Sequence, residues 1–142
     1  MKANELMIGD WVIFGDEPLK VQHIYNNGYD DIVAEIVEDG TNEYGVYEEI
    51  KDVPVVYCSP IPLTPEILEK NGFIKVNSQR YDYGCPDTDC YVKVNPKKNM
   101  IHVNGRNANS NLYSHSFVHE LQRALRLCGL DELADNFKVY EK

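Results

Sequence analysis

Short apolar segments, spaced about ten residues apart and separated by turn signals, occupy the first sixty residues. The residues between them lack the three-and-four spacing of an amphipathic helix, so each segment is predicted to be a β-strand. In residues 19–25 apolar and polar side chains alternate, as in a strand that buries one face. Such strands close their own sheet edges in small barrels, and we predict an SH3-like barrel. The predicted strands are Trp11–Phe14, Leu19–Tyr25, Ile32–Val37, Tyr44–Tyr47 and Val53–Tyr57.

A proline-rich segment, Pro60–Pro65, marks the predicted boundary between two domains, residues 1–60 and residues 61–142. Its first two prolines restrict the backbone to an extended path. Thr64 is the expected N-cap of a helix, because Pro65 suits the first helical position. Gly72 is expected to end that helix.

The second domain is predicted to be a small α+β unit, so the chain as a whole is mostly β. Four strands separated by polar turns suit an antiparallel meander. They are followed by an amphipathic helix with Ser116 as its N-cap and Gly129 just after its end. The predicted strands are residues 73–76, 80–83, 91–94 and 100–103, the helix is 116–129, a helical turn follows at 130–135, and 104–111 is an exposed Asn-rich loop.

Charge is distributed very unevenly along the chain, which has a net charge of -9. Residues 1–60 contain three basic and thirteen acidic residues, a net of −10, whereas residues 61–142 contain eleven basic and ten acidic residues, a net of +1. An acidic surface repels phosphate, so the first domain is a poor candidate for binding nucleic acid. It is either a solvated face or a docking surface for a basic partner.

The C-terminal helix contains a pair of residues, His119 and Glu120, that resembles the start of a zinc-protease motif. That motif needs a second histidine four residues after the first, on the same helical face. Arg123 occupies this position, and a guanidinium cannot coordinate a metal ion. Ser114 and His115 lie nearby without a defined geometry. The sequence therefore predicts no catalytic residues, with a metal-dependent hydrolase as an unfavoured alternative.

The thiols of Cys85 and Cys90 lie in a polar segment and are candidate metal ligands. The candidate histidine ligands further along the chain are His102, His115 and His119. Zinc accepts such ligands. However, no second cysteine pair is present, and the spacing is looser than in structural zinc knuckles. We predict neither a metal nor a cofactor, and we expect all four cysteines to be reduced thiols.

Basic residues of the second domain define the candidate binding side. The turn before the last predicted strand contains two lysines, the Asn-rich segment contains an arginine, and one side of the C-terminal helix adds three further residues. Such a side could contact a protein partner or an anionic ligand, and binding of nucleic acid is possible but not favoured. The candidate residues are Lys97, Lys98, Arg106, His119, Arg123 and Arg126.

Three sequence blocks resemble an uncharacterised family of short proteins from bacterial genomes and their prophages or other mobile elements. These blocks are Leu6-x-Ile8-Gly9-Asp10-x-Val12, the segment from Pro60 to Phe73, and Val118-His119-Glu120-Leu121-Gln122. The likeness covers nearly the whole chain. It implies a mobile-element context and no known activity.

The sequence contains no run of about 20 apolar residues and no signal-peptide core, so we expect a cytoplasmic protein without a membrane segment. Because no complete catalytic set is present, we expect a non-enzymatic interaction or accessory module with an unknown protein partner. A nucleic-acid-associated protein and a hydrolase that uses His119 and Glu120 are the alternatives.

Overall fold

The computed structural model describes the backbone of residues 1–42, 45–85, 90–105, 108–113 and 117–139, and their side chains except in 35–50, 85–90 and 105–116. The chain divides into two compact units, Met1–Pro60 and Ile61–Lys142. The structure is mixed, with mainly antiparallel sheets and a few helices. Within the described ranges, no helix is both long and apolar enough to span a bilayer.

The N-terminal unit contains two antiparallel three-stranded sheets, ordered β2-β1-β6 and β3-β4-β5. Apolar side chains from both sheets form its core, including the fully buried Val12, Leu19 and Val33. Among the described strands, the pairings do not close into a single barrel. The strands are β1 (Trp11–Phe14), β2 (Glu17–Lys20), β3 (His23–Asn26), β4 (Asp31–Asn42), β5 (Gly45–Pro54) and β6 (Cys58–Ser59).

The single strand predicted over residues 19–25 is in fact two strands, β2 and β3. At the junction, Val21 exchanges hydrogen bonds with the turn before β1, accepting from Gly9 N at 2.7 Å and donating to Asp10 O at 2.8 Å. The next residue, Gln22, donates to Ala34 O of β4 at 2.9 Å. The apolar–polar alternation of residues 19–22 breaks at His23, and the apolar position moves to Ile24, which packs against the core. This change of phase accompanies the passage of the chain from one sheet to the other.

The turn before β1 is held together by the buried carboxylate of Asp10. Its Oδ2 accepts a hydrogen bond from Met7 N at 2.8 Å, while Asp10 N donates to Met7 O at 3.1 Å. Gly9 has a φ of 97°, a backbone conformation that residues with a Cβ rarely adopt. The Ile8-Gly9-Asp10 block therefore has a structural explanation as a tight turn.

The β4–β5 hairpin is longer than the separate strands predicted there, and it continues beyond the third strand of its sheet. β3 pairs only with Asp31–Ala34, so the rest of β4 is paired with β5 alone among the described residues. We call this two-stranded part, residues 35–42 and 45–51, the acidic ribbon. The predicted strand at 53–57 was wrong in its second half, since Val55–Tyr57 form a 3-10 turn.

In the part of the C-terminal unit that the structure describes, five strands form an antiparallel sheet in the order β11-β10-β9-β8-β7, accompanied by three α-helices. Each strand pairs with its neighbour in the chain, as expected for the predicted meander. The elements are α1 (Pro65–Lys70), β7 (Ile74–Lys75), β8 (Tyr81–Cys85), β9 (Cys90–Asn95), β10 (Met100–Gly105), β11 (Ala108–Tyr113), α2 (Val118–Leu127) and α3 (Asp131–Asp135).

Helix α2 packs on one face of this sheet through a fully buried apolar stripe that contains Leu121, Ala124 and Leu125. The alternate residues Val92 and Val94 of β9 and Ile101 and Val103 of β10 are buried at this inner face. Burying each such side chain contributes about 1.5–3 kcal/mol relative to leaving it exposed. Helix α2 and the inner face thus form the core of this unit.

Local sequence signals predicted the start of α1 correctly but not the start of α2. Thr64 caps α1 as predicted, with its Oγ1 accepting from Ile67 N at 3.3 Å. The predicted N-cap at Ser116 was wrong, because α2 begins at Val118 with Phe117 as the N-cap residue. Val118 N donates to Ile61 O at 2.8 Å, so a distant backbone segment satisfies a free N–H of the helix end.

The Asn-rich segment predicted as a loop forms strand structure on both sides of residues 106–107. Residues 104 and 105 complete β10, and 108–113 form β11, with Asn104 opposite Asn109. Asparagine is disfavoured in strands by local propensity. Pairing with β10 provides the backbone hydrogen bonds that outweigh this preference.

Candidate functional site

The predicted helical candidates on α2 are not presented together at the surface. The His119 side chain is only 6% exposed, and its ring stacks on that of Phe117 at a centroid distance of 6.0 Å. Arg123, one helical turn later, is exposed. The imidazole is therefore packed within the unit, and it does not share an open face with this arginine.

Arg126 and its neighbour Gln122 connect α2 to α3. Arg126 Nη2 lies 3.5 Å from Asp135 Oδ1, and the arginine side chain is only 13% exposed. The fully buried Gln122 donates from Nε2 to Ala134 O at 2.9 Å. These contacts give both residues a clear structural role in holding the two helices together.

The predicted lysine pair lies in a 3-10 turn between β9 and β10, where both side chains are exposed. Asn95 caps this turn, its Oδ1 accepting from Lys98 N at 3.3 Å, and Asn99 has a φ of 50°. Lys97 and Lys98 therefore project from one end of the meander. Arg106, the remaining predicted candidate, lies outside the described residues.

In the parts of the chain that the structure describes, no group of three or more His, Cys, Asp or Glu residues could hold a metal ion. Cys85 and Cys90 lie opposite each other in the β8–β9 ladder. The intervening residues 86–89, together with Ser114, His115 and Ser116, lie outside the described residues. The zinc and hydrolase alternatives therefore gain no support from the described structure.

Glu17, Tyr25 and Cys58 of the N-terminal unit have shifted pKa values, and each shift has a local cause. A hydrogen bond and an ion pair with Lys51, at 2.7 Å, lower the pKa of Glu17. Partial desolvation, followed by a hydrogen bond to Asp52, raises the pKa of Tyr25. Burial raises the pKa of the Cys58 thiol, which makes it a poor nucleophile.

The sheet of the C-terminal unit has a second face, away from the buried valines, that sequence reasoning missed. Register places Asp82 opposite Lys93 and Lys93 opposite His102, while Tyr91 lies opposite Asn104. The four side chains named on β9 and β10 are half-exposed. Alternation in residues 91–94 was the available signal, since apolar residues at 92 and 94 imply that 91 and 93 face the other way. We call Arg80, Asp82, Tyr91, Lys93 and His102 the outer sheet face.

Aromatic and cationic groups lie side by side on the outer sheet face. Lys93 Nζ lies 4.9 Å from the centroid of the Tyr91 ring, and the rings of Tyr91 and His102 are 6.1 Å apart and tilted by 36°. Arg80 donates one hydrogen bond from Nη2 to Asp82 Oδ2 at 3.2 Å, and its Nε lies 3.1 Å from Oδ1 as an ion-pair contact without hydrogen-bond geometry. The face therefore combines a half-exposed aromatic group with positive charge.

The acidic ribbon is the second distinctive feature. Its register places Glu38 opposite Glu48, and among the paired residues of the ribbon that the structure describes, only Glu35 and Lys51 carry opposite charges. Like charges opposite each other in an antiparallel ladder are destabilising. Residues 35–42 and 45–51 together contain five acidic residues and one lysine.

We found no family model that matches this chain, and no similar curated protein or solved structure.

Proposed function

We propose that this protein is a non-enzymatic interaction module, an accessory of a phage or other mobile element, that acts in the cytoplasm. Its N-terminal unit binds a basic protein partner through the acidic ribbon. The observation that carries this proposal is the extension of the β4–β5 hairpin beyond β3, with Glu38 in register with Glu48.

A two-stranded ribbon buries little apolar surface and is only marginally stable by itself. The Glu38–Glu48 juxtaposition weakens it further. Contact with a basic surface converts this repulsion into attraction, and the net charge of −10 on residues 1–60 would accelerate the encounter. Charged strands also prevent edge-to-edge aggregation, so the experiment must separate docking from solubility.

We also propose that the N-terminal unit is a variant of an SH3-like barrel. Six strands in two three-stranded antiparallel sheets, with the chain crossing between sheets at Val21 and Gln22, support this proposal. The exposed Tyr29 and Tyr57 side chains are additional candidates for contacts with a partner.

The test is affinity purification of the tagged full-length protein from its host after cross-linking in cells, followed by mass spectrometry. The ribbon variant combines Glu38→Gln, Glu48→Gln and Glu49→Gln. The matched control removes three exposed carboxylates of the C-terminal unit, with Glu66→Gln, Glu69→Gln and Glu132→Gln.

We expect the wild type and the control variant to retain a basic protein that the ribbon variant loses, and the yield to fall as salt is increased. Removing like charges from the ladder should leave the ribbon variant at least as stable as the wild type, so loss of the partner could not be attributed to unfolding. Identical sets of recovered proteins for all three chains would refute the proposal.

A further inference from the structure

We propose that the outer sheet face of the C-terminal unit binds single-stranded nucleic acid, with a base stacking beside Tyr91 and phosphates contacting Lys93, Lys97 and Lys98. This site differs from the acidic ribbon and from the positively charged residues of α2. It does not depend on the function proposed above.

No side chain occupies the β8 position beside Tyr91. Its cross-strand neighbour on β8 is Gly84, which has no side chain. A Cβ built on Gly84 would have no heavy atom within 4 Å, so the region above this point of the ladder is open. The tyrosine ring thus has an open β8 position on one side and the His102 ring on the other, and the Lys93 ammonium lies over one face, so a base would stack on the opposite face.

Positive charge continues from the Tyr91 ring to the end of the sheet. Lys93 lies two residues along β9 on the same face, and the turn that follows contains the exposed Lys97 and Lys98. The one carboxylate of the outer sheet face, Asp82, is engaged by Arg80. Base stacking on an aromatic ring next to cations that contact phosphate is the usual arrangement in proteins that bind single strands.

Charge segregation favours a nucleic acid over a protein as the occupant of this face. Among the described residues, the outer sheet face and the β9–β10 turn contain four basic side chains and one acidic side chain. The other acidic residues described in this unit all lie on its helices: Glu66, Glu69, Glu120, Asp131, Glu132 and Asp135. The overall charge of -9 arises from residues 1–60, so it does not reflect the charge of this face.

A single strand fits better than a duplex. Stacking requires an exposed base face, which paired bases in a duplex do not offer. Reading a duplex through its major groove requires a helix or a narrow two-stranded ribbon to enter the groove. The outer sheet face is instead a broad surface on the central strands β8, β9 and β10.

The test is fluorescence anisotropy of the full-length protein with labelled 12-nucleotide single strands of oligo-dT and oligo-U and a 12-base-pair duplex, at two salt concentrations. Tyr91→Ala is the disruptive variant and Tyr91→Phe the conservative one. Lys93→Gln combined with Lys97→Gln removes two cations from the site. Arg123→Gln combined with Lys138→Gln removes two cations from exposed positions outside it.

We expect both single strands to bind more tightly than the duplex. Tyr91→Ala should weaken binding by roughly 5- to 150-fold, as expected for the loss of one stacked base, and Tyr91→Phe should retain it. The double lysine variant should reduce the slope of log affinity against log salt by about 0.7 for each lost phosphate contact. The variant with Arg123→Gln should bind like the wild type.

Several results would overturn the proposal. These are absence of binding to either single strand at low salt, equal binding of the duplex, or wild-type affinity in the Tyr91→Ala variant. Loss of binding in the variant with Arg123→Gln, but not in the lysine variant, would overturn it in favour of a site on α2. Far-UV circular dichroism checks that each variant is folded, and the Phe variant distinguishes loss of the ring from general destabilisation.

Discussion

Replacing Asn71 should measurably destabilise the C-terminal unit, because this side chain connects the end of α1 to the last described segment of the chain. The residue is 7% exposed. Its Nδ2 donates to Ile67 O at 2.8 Å and to Lys138 O at 2.7 Å, and its Oδ1 accepts from Lys138 N at 2.7 Å. The amide therefore pairs with Lys138 much as one strand pairs with another.

The expected magnitude follows from these three hydrogen bonds. Each contributes about 0.5–1.5 kcal/mol net, and a partly buried group that loses its partner costs about 1–3 kcal/mol. Asn71→Ala should therefore lower the free energy of unfolding by about 3 kcal/mol. Asn71→Asp keeps the shape and the acceptor but places a carboxylate against two carbonyl oxygens, so at pH 7 it should destabilise the unit at least as much.

The pH dependence of the Asn71→Asp variant gives an independent check. Burial and the facing carbonyl oxygens should raise the pKa of the introduced carboxyl above its unfolded value. Relative stability is then greatest below the unfolded pKa, where the protonated group can donate to one carbonyl, and is lost as the pH rises through the folded pKa. The defect should thus be smaller at pH 4 than at pH 7, each compared with the wild type.

Urea unfolding followed by circular dichroism measures these changes, and amide hydrogen exchange at Lys138 reports the local contact. The reasoning would be refuted if Asn71→Ala changed stability by less than about 0.5 kcal/mol, the range of ordinary surface substitutions. It would also be refuted if Asn71→Asp were as stable as the wild type at pH 7.

Three further predictions concern single contacts. Gly72→Ala should cost about 1–2 kcal/mol in thermal unfolding, because φ is +87° and the new Cβ would lie 3.4 Å from the Tyr83 ring; an unchanged melting temperature would contradict this. Gln122→Ala should cost about 2–3 kcal/mol in urea unfolding, since it creates a cavity and removes the donor to α3, and a neutral effect would count against that bond. Lys51→Met should raise the pKa of Glu17 in an NMR titration, because it removes the hydrogen bond and the charge that lower this pKa. In the wild type, the stability from the Glu17–Lys51 pair is present above the pKa of Glu17 in the unfolded chain and is lost as the pH falls through its lowered pKa in the folded protein. The same Glu17 pKa in the variant and the wild type would exclude the pair.

Local signals predicted much of the C-terminal unit. The alternation in residues 91–94 and 100–103 identified β9 and β10, and the cap at Thr64 and the glycine at 72 bounded α1. Each of these features depends on side chains within a few residues of each other. The start of α2 was misplaced because its first amide is satisfied by Ile61 O, a partner 57 positions earlier, which no local pattern encodes.

The candidate site was harder to predict than the fold. The lysines at 97 and 98 are exposed in a turn as expected, but helical spacing grouped His119 with Arg123 and Arg126 without revealing how deeply the imidazole is buried. The outer sheet face depends on strand register, which brings Tyr91 beside a residue eleven positions later. The sequence predicted the turn between β9 and β10 but not the conformation of that turn, which sets the register of the two strands.

The helix that protects the meander is also one of the last parts of the unit to be made. Pairing between successive strands needs only nearby residues, so the sheet can begin to form as soon as β8 and β9 have left the ribosome. The valine-rich face of the sheet then remains exposed to solvent until residues 118–127, which form α2, are synthesised. Chains terminated before residue 118 would keep the apolar face of this sheet exposed to solvent, and we expect chaperones and proteases to bind them.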